Sequence, residues 1–392
     1  MELTPLEMTP RQRAKAYAAG EEVDRIPTTL SAGETAPPLY GIDICDYYFS
    51  ADAMVEVESA LARDFGADNM GMGLGLRAVP EALGTRLVYP RDAVSFIDEP
   101  VLRTLPEVDC LDIVNVNRDG RLPLFIEAFE RLQETFGAER VVSSGLAGPF
   151  TTACGLVDAE QLLKAMLKDK AAVHHLMQFA TDCVVACTHD LHERLGIAFS
   201  LSEPMCSRNL LSKRQFIEFC KPYLAQAVRR MNGFQQATSL HICGMTKDRW
   251  EDVVDVGVSG FWMDDCESLE EAKRFHGQSI ALMGNLPPLD VLRDGTPADI
   301  AEGVRRCIAA AGDNPRGYCL CPGCTTPVAT SREHLIAFMN AAARYGRFAR
   351  KGSMPEGMRR EDLPPAAIHD TFGEAGSAQG RSLQEKETVL DD

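Results

Sequence analysis

The strongest constraint on this chain is a rhythm: eight short apolar runs of strand character, each separated from the next by a longer stretch of helical period. The runs are 27–33, 69–76, 141–146, 198–204, 238–244, 260–265, 280–285 and 318–324. Helices are expected between them over 159–167, 171–195, 213–231, 246–256, 297–311 and 331–345. Alternation of this kind specifies a parallel sheet, because parallel neighbours need a crossover long enough to hold a helix. Eight such units predict an α/β fold, a (β/α)8 TIM barrel in a single domain, whereas a doubly wound sheet has fewer strands and opens on a phosphate loop. The long interval between the second and third runs must hold extra elements, for which a short strand at 86–89 and a barrel helix at 122–136 are expected. The barrel is expected to occupy 1–350. Residues 351–392, polar and rich in Gly, Pro, Ser and Glu, read as a loosely ordered C-terminal tail.

Charge narrows the partners. With 40 Lys and Arg against 57 Asp and Glu, the formal net charge is −17, which repels phosphate backbones and anionic lipid surfaces. Neither nucleic acid nor a membrane is expected as a partner. No stretch has the length of a membrane span, and the first dozen residues lack the basic-then-apolar pattern of a secretion signal, so a cytoplasmic location is expected. The 13 cysteines are odd in number, scattered, and set in a chain too long to need disulfide staples. Reduced thiols and a metal site fit better. Cys183, Cys187, Cys220 and Cys307 fall in helical stretches where a thiol packs as a small hydrophobe. The spaced glycines Gly71, Gly73 and Gly75 lack the third glycine of a dinucleotide fingerprint and read as close backbone approach late in a strand.

In a barrel the active site is built at the carboxyl ends of the strands. Here those ends carry Glu203, the pair His241 and Cys243, Asp264 and Asp265, Asn285, and Cys321 with Cys324. Residues two apart on a strand face the same side, so the imidazole of His241 and the thiol of Cys243 converge. Zinc accepts thiolate and imidazole ligands, and a catalytic zinc keeps three protein ligands with one open position. The third ligand must come from Cys319, Cys321 or Cys324; placement beyond the strand end favours Cys324. Glu203, Asp264 and, less strongly, Asp265 are candidates for a fourth ligand, a proton carrier or a substrate anchor. The plain alternative for Glu203 is an ion pair, for instance with Arg208. His174, His175, His189 and His192 lie in one helical segment and read as structural.

At these residues the sequence resembles the uroporphyrinogen decarboxylase superfamily, and within it the zinc-dependent methyltransferases that act on methylated corrinoid proteins. Thr9-Pro10-Arg11-Gln12-Arg13 with Asp24-Arg25-Ile26-Pro27 resembles the superfamily's first helix and the approach to its first strand. Gly148-Pro149-Phe150-Thr151 resembles the loop after its third strand, and Gly284-Asn285 the end of its seventh. His241-Ile242-Cys243-Gly244 with Pro322-Gly323-Cys324 resembles the zinc motif of the methyltransferase branch. The resemblance implies a (β/α)8 barrel and zinc on His241, Cys243 and Cys324; Glu203, Asp264 and Asn285, at neighbouring strand ends, are the candidate catalytic residues. It also implies methyl transfer between a corrinoid (cobalamin) and a small donor or acceptor such as a thiol. No Asp-x-His-x-x-Gly corrinoid-binding motif is present, so the corrinoid is expected on a partner corrinoid protein or as a free co-substrate. A decarboxylase of this superfamily grips a polycarboxylate with an arginine-rich segment, and this chain reads Thr28-Thr29-Leu30-Ser31-Ala32-Gly33 there. A decarboxylase-like lyase and a non-catalytic zinc-binding barrel stand as alternatives.

Overall fold

The computed structural model of the chain describes residues 2–358. Beyond Met358 the expected tail lies outside the described residues; Glu356–Met358 is a short 3-10 turn with Met358 buried.

Seven strands form one parallel sheet in chain order: β1 (Asn69–Met70), β2 (Val141–Ala147), β3 (Ala198–Ser202), β4 (Ser239–Ile242), β5 (Gly260–Met263), β6 (Ala281–Leu286) and β7 (Tyr318–Pro322). The first predicted run, 27–33, closes the ring without becoming a regular strand. Thr28 bridges Leu320 in parallel, and the Asp68 N–H donates to the Thr28 carbonyl at 2.9 Å. Its irregularity has a local cause. Pro27 has no N–H, and the Thr28 N–H donates to the Asp68 carboxylate at 2.7 Å instead of to a strand. The sheet therefore curls through all eight predicted runs, which makes the chain a (β/α)8 barrel.

Packing follows the period of two. Phe199, Leu201, Leu240, Ile242, Phe261, Met263, Leu282 and Leu286 occupy one parity of their strands and are buried. Of the other parity, Ser200, Ser202, His241, Trp262, Met283 and Cys321 line the lumen. The outer wall is built from α1 (Pro10–Ala19), α2 (Ala51–Phe65), α3 (Leu122–Phe136), α4 (Pro149–Leu156), α5 (Ala159–Lys168), α6 (Lys170–Leu195), α7 (Lys221–Met231), α8 (Trp250–Asp255), α9 (Leu269–His276), α10 (Pro297–Ala311) and α11 (Arg332–Tyr345). The expected insertion is a hairpin of Arg86–Val88 against Phe96–Glu99, and α3 spans the expected 122–136.

Two sequence features acquire a structural reason. Thr9 and Gln12 form a reciprocal cap on α1, which holds Arg13 inward, fully buried. Arg13 bonds Asp24 at 2.6 Å and also Asp68, and Arg25 reaches Asp68 at 2.6 Å, so the resembling N-terminal segment is an ion network joining α1 to the closure of the ring. Gly71 sits where a Cβ would lie 1.7 Å from the Ser143 carbonyl oxygen, which is the expected close backbone approach.

Candidate metal centre

His241 lies on β4, paired in register with Ser202 on one side and Trp262 on the other. Its Nδ1 is 3.0 Å from the Trp262 carbonyl oxygen, which can only accept, so Nδ1 carries the proton and Nε2 keeps a lone pair. The Trp262 ring lies 4.2 Å from the imidazole, and its Nε1 donates to the Pro322 carbonyl at 2.8 Å. One tryptophan thus fixes the histidine's tautomer through its backbone and its orientation through its ring. The Nε2 atom of His241 is buried and has no hydrogen-bond partner. An orphaned buried nitrogen costs free energy unless something fills its lone pair.

Two thiols stand where that lone pair points. Cys243 follows β4 into a turn that Gly244 makes at φ +87, a conformation suited to glycine. Cys324 follows β7 after Pro322-Gly323. The Cys243 and Cys324 sulfurs are 3.9 Å apart, and together with a His241 ring nitrogen all three atoms lie within 4.8 Å of one another. Tetrahedral zinc with bonds of about 2.0–2.3 Å holds its ligand atoms roughly 3.3–3.8 Å apart, so the set fits zinc with a small contraction. The contact with Cys243, reinforced by His241, holds the Cys324 thiol below the usual thiol range, and the same contact pushes Cys243 the other way. Cys321 sits inside β7, outside this cluster, its thiol pushed up by burial. Of the candidate third ligands, the structure therefore brings Cys324 to the pair.

The three predicted catalytic groups stand behind the cluster, and none lines the cavity. Asp264 accepts from the Gly244 N–H at 2.7 Å, the Cys243 thiol at 3.2 Å and the Cys266 N–H at 3.0 Å. Burial alone would raise its carboxyl, but these N–H donors hold it below the usual range. Asn285 donates to the carbonyls of Asp264 at 3.0 Å and Glu267 at 2.7 Å, pinning the turn that carries Asp264. Glu203 is fully buried, and its two oxygens accept the N–H groups of Phe150 and Thr151 at 2.9 and 2.8 Å, at the start of α4. Its partner is a helix N-terminus rather than Arg208. Burial nonetheless pushes Glu203 up to about 7. Asp265, half-buried and beside Asp264, is raised to about 6 by desolvation and that neighbour. His174 and His192 bond Tyr223 and the Ile197 carbonyl, His175 pairs with Asp109 and His189 with Asp190, all away from the cluster.

A cavity of about 510 Å³ runs down the lumen from His241, Cys243 and Cys324. Two of its lining residues escape a reading of strand ends. Glu58 on α2 is buried, accepts from the Tyr47 hydroxyl at 2.9 Å and is pushed up to about 7 by burial. Glu34 accepts from the Tyr48 hydroxyl at 2.5 Å. A usable signal existed for Glu58, a carboxylate set on the apolar stripe of Met54, Val57, Leu61 and Phe65. Glu34 gave none.

Residues 9–345 match the uroporphyrinogen decarboxylase (URO-D) family model. The methylated-thiol–coenzyme M methyltransferase of Methanosarcina mazei is 23% identical over 343 residues, covering 86% of this chain and 89% of that protein. The methylcobamide:CoM methyltransferase MtbA of Methanosarcina acetivorans is 24% identical over 344 residues, covering 86% of this chain and 99% of that protein. Among solved structures, a methyltransferase from Methanosarcina mazei superimposes with a TM-score of 0.78 at 21% identity, over 86% of this chain and 99% of that one.

Proposed function

The chain belongs to the uroporphyrinogen decarboxylase family, and from that premise we propose that it is a zinc-dependent methyltransferase moving a methyl group between a corrinoid and a small thiol-class acceptor or donor. The observation that carries this reading is the buried, unpartnered Nε2 of His241 in one cluster with the thiols of Cys243 and Cys324. Relatives described as methylcobamide:CoM and methylated-thiol–coenzyme M methyltransferases support the chemistry.

His241, Cys243 and Cys324 would hold the metal. Zinc bound by two thiolates and one neutral imidazole carries no net charge, and in its open position it would let a substrate thiol ionise at neutral pH while staying nucleophilic. The rest of the work belongs to the protein. Trp262 keeps the Nε2 lone pair of His241 aimed at the thiols, and Asp264 anchors the Gly244 turn so that Cys243 cannot swing away. Asn285 holds Asp264's own backbone, and Glu203 fixes α4 against the strand next to His241. All three candidate catalytic residues are accordingly assigned positioning roles. In the transfer the sulfur–carbon bond forms as the cobalt–carbon bond breaks, its electron pair staying on cobalt(I); in the opposite sense cobalt(I) attacks a methyl donor.

Lining the cavity there is no Lys or Arg among the described residues, which leaves a polycarboxylate tetrapyrrole without counterions and disfavours the decarboxylase reading. The test is spectroscopic. Zinc-loaded protein mixed with a methylated corrinoid, supplied free or on a corrinoid protein, and a panel of thiols should convert the methyl-cobalt(III) spectrum to that of cobalt(I). Absence of that change in both directions with every corrinoid and partner tried removes the methyltransferase reading.

A further inference from the structure

The turn that leaves β4 with Cys243 crosses the exposed rim of the barrel, where Met245 is 43% exposed and Lys247 is open to solvent. Backbone N–H groups on such a rim ordinarily go to water. Here four consecutive ones go to side chains from neighbouring strand ends instead. The Gly244 N–H donates to Asp264 at 2.7 Å and the Met245 N–H to the Asn209 amide oxygen at 2.9 Å. Those of Thr246 and Lys247 both donate to Oε1 of Glu267, the second at 3.0 Å. The Thr246 hydroxyl reaches the same oxygen at 3.3 Å and accepts from Trp250 Nε1 at 3.0 Å, which ties the turn to the start of α8.

The grip comes from both sides of β4. Asn209 follows β3 and Glu267 follows β5, the two strands that flank β4 in the sheet, and Asn285 holds the Glu267 carbonyl at 2.7 Å. The fit is close as well: a Cβ on Gly244, which has φ +87, would lie 2.5 Å from the Asn209 oxygen. None of the four backbone bonds uses a ligand atom of the cluster, so the protein alone sets the turn. Left to water, a rim turn samples many backbone conformations, and ordering it when a metal ion arrives would subtract from the affinity. Cys243 is one residue from the first of the four gripped N–H groups.

We propose that Glu267 and Asn209 are positioning residues of the metal centre: with Asp264 they grip the 244–247 turn from both sides and hold the Cys243 sulfur in ligand position before a metal ion binds. The proposal rests on the zinc reading of the cluster and not on methyl transfer. Its structural alternative is that Glu267 only caps the turn into α8.

Chelator competition for zinc, cobalt(II) absorption and hydrogen exchange separate the two on the full chain without turnover. Glu267→Ala should weaken zinc about 10–100-fold, alter the thiolate-to-cobalt and d–d bands, and open the 244–247 amides to exchange in metal-free protein. Glu267→Gln keeps an oxygen for the same donors and should return all three readings close to the parent's. Asn209→Ala, at an exposed position, should fold normally and weaken zinc several-fold. A Glu267→Ala protein that melts lower yet keeps the parent's zinc affinity and cobalt spectrum would make Glu267 a cap alone and overturn the proposal. A Gln variant no better than Ala would do the same. So would unmoved zinc affinity in Asn209→Ala, which decides the matter should Glu267→Ala fail to fold. Parent protein that takes up neither metal sinks the metal centre and this proposal together, whereas metal bound equally well by every variant sinks the proposal alone.

Discussion

Replacing Glu203 with Gln sets burial against hydrogen bonding at one residue. Burial raises its carboxyl to about 7, above the 4.5 of an unperturbed glutamic acid, so the fold favours the protonated form. Below pH 4.5 the folded and unfolded chains both keep this proton and the group is silent. Between 4.5 and 7 the unfolded chain releases it while the folded chain holds on, and stability falls as pH rises. The gap between those two values amounts to about 3 kcal/mol, fully lost above pH 7. Gln has no such slope. Its amide oxygen can accept from Phe150 or Thr151 but not equally from both, which costs about 1–3 kcal/mol at every pH. The variant should therefore melt below the parent at pH 5 and draw level or pass it by pH 8. In a chain this long the swing amounts to about 4 °C. Differential scanning fluorimetry of both proteins across pH 5–8 measures it, and Glu58, present in both, cancels in the difference. A gap that stays constant or widens with pH would show that the α4 N–H groups outweigh burial and would refute the argument. Zinc content should be unchanged and methyl transfer should stay within a few-fold, because Glu203 does not line the cavity.

Metal analysis should find one zinc per chain, lost in His241→Ala, Cys243→Ala and Cys324→Ala but kept in Cys321→Ala; full zinc in the Cys324 variant would remove that ligand. Asp264→Ala should weaken zinc about 10–100-fold in chelator competition while all three ligands remain, because it frees the Gly244 turn and leaves the Cys266 N–H unpaired. Unchanged affinity there would make Asp264 dispensable for positioning.

The periodic part of this protein is written locally. Alternation of two fixes which side chains of 198–202 or 239–242 face the lumen, and helical stretches such as 297–311 announce their own ends through a cap like Thr296 with Asp299. His241 and Cys243 could be paired by eye because two residues on one strand share a face. Other features had no local trace. The carbonyl that fixes His241's tautomer belongs to Trp262, 21 residues away, and becomes its neighbour only through the register of β4 against β5. Glu203 reads as a rim carboxylate until α4 folds back with two free N–H groups aimed at it. The first run reads as a strand, yet the Asp68 carboxylate takes its Thr28 N–H while Pro27 and Thr29 keep their bonds to Leu320. Periodicity within a few residues is imposed by backbone geometry and survives in the sequence, so the sequence determined the barrel and the convergence of His241 and Cys243. Which carboxylate faces the cavity, and which is consumed by a neighbouring backbone, depends on registers and closures set by the whole ring, and only the tertiary structure decided that.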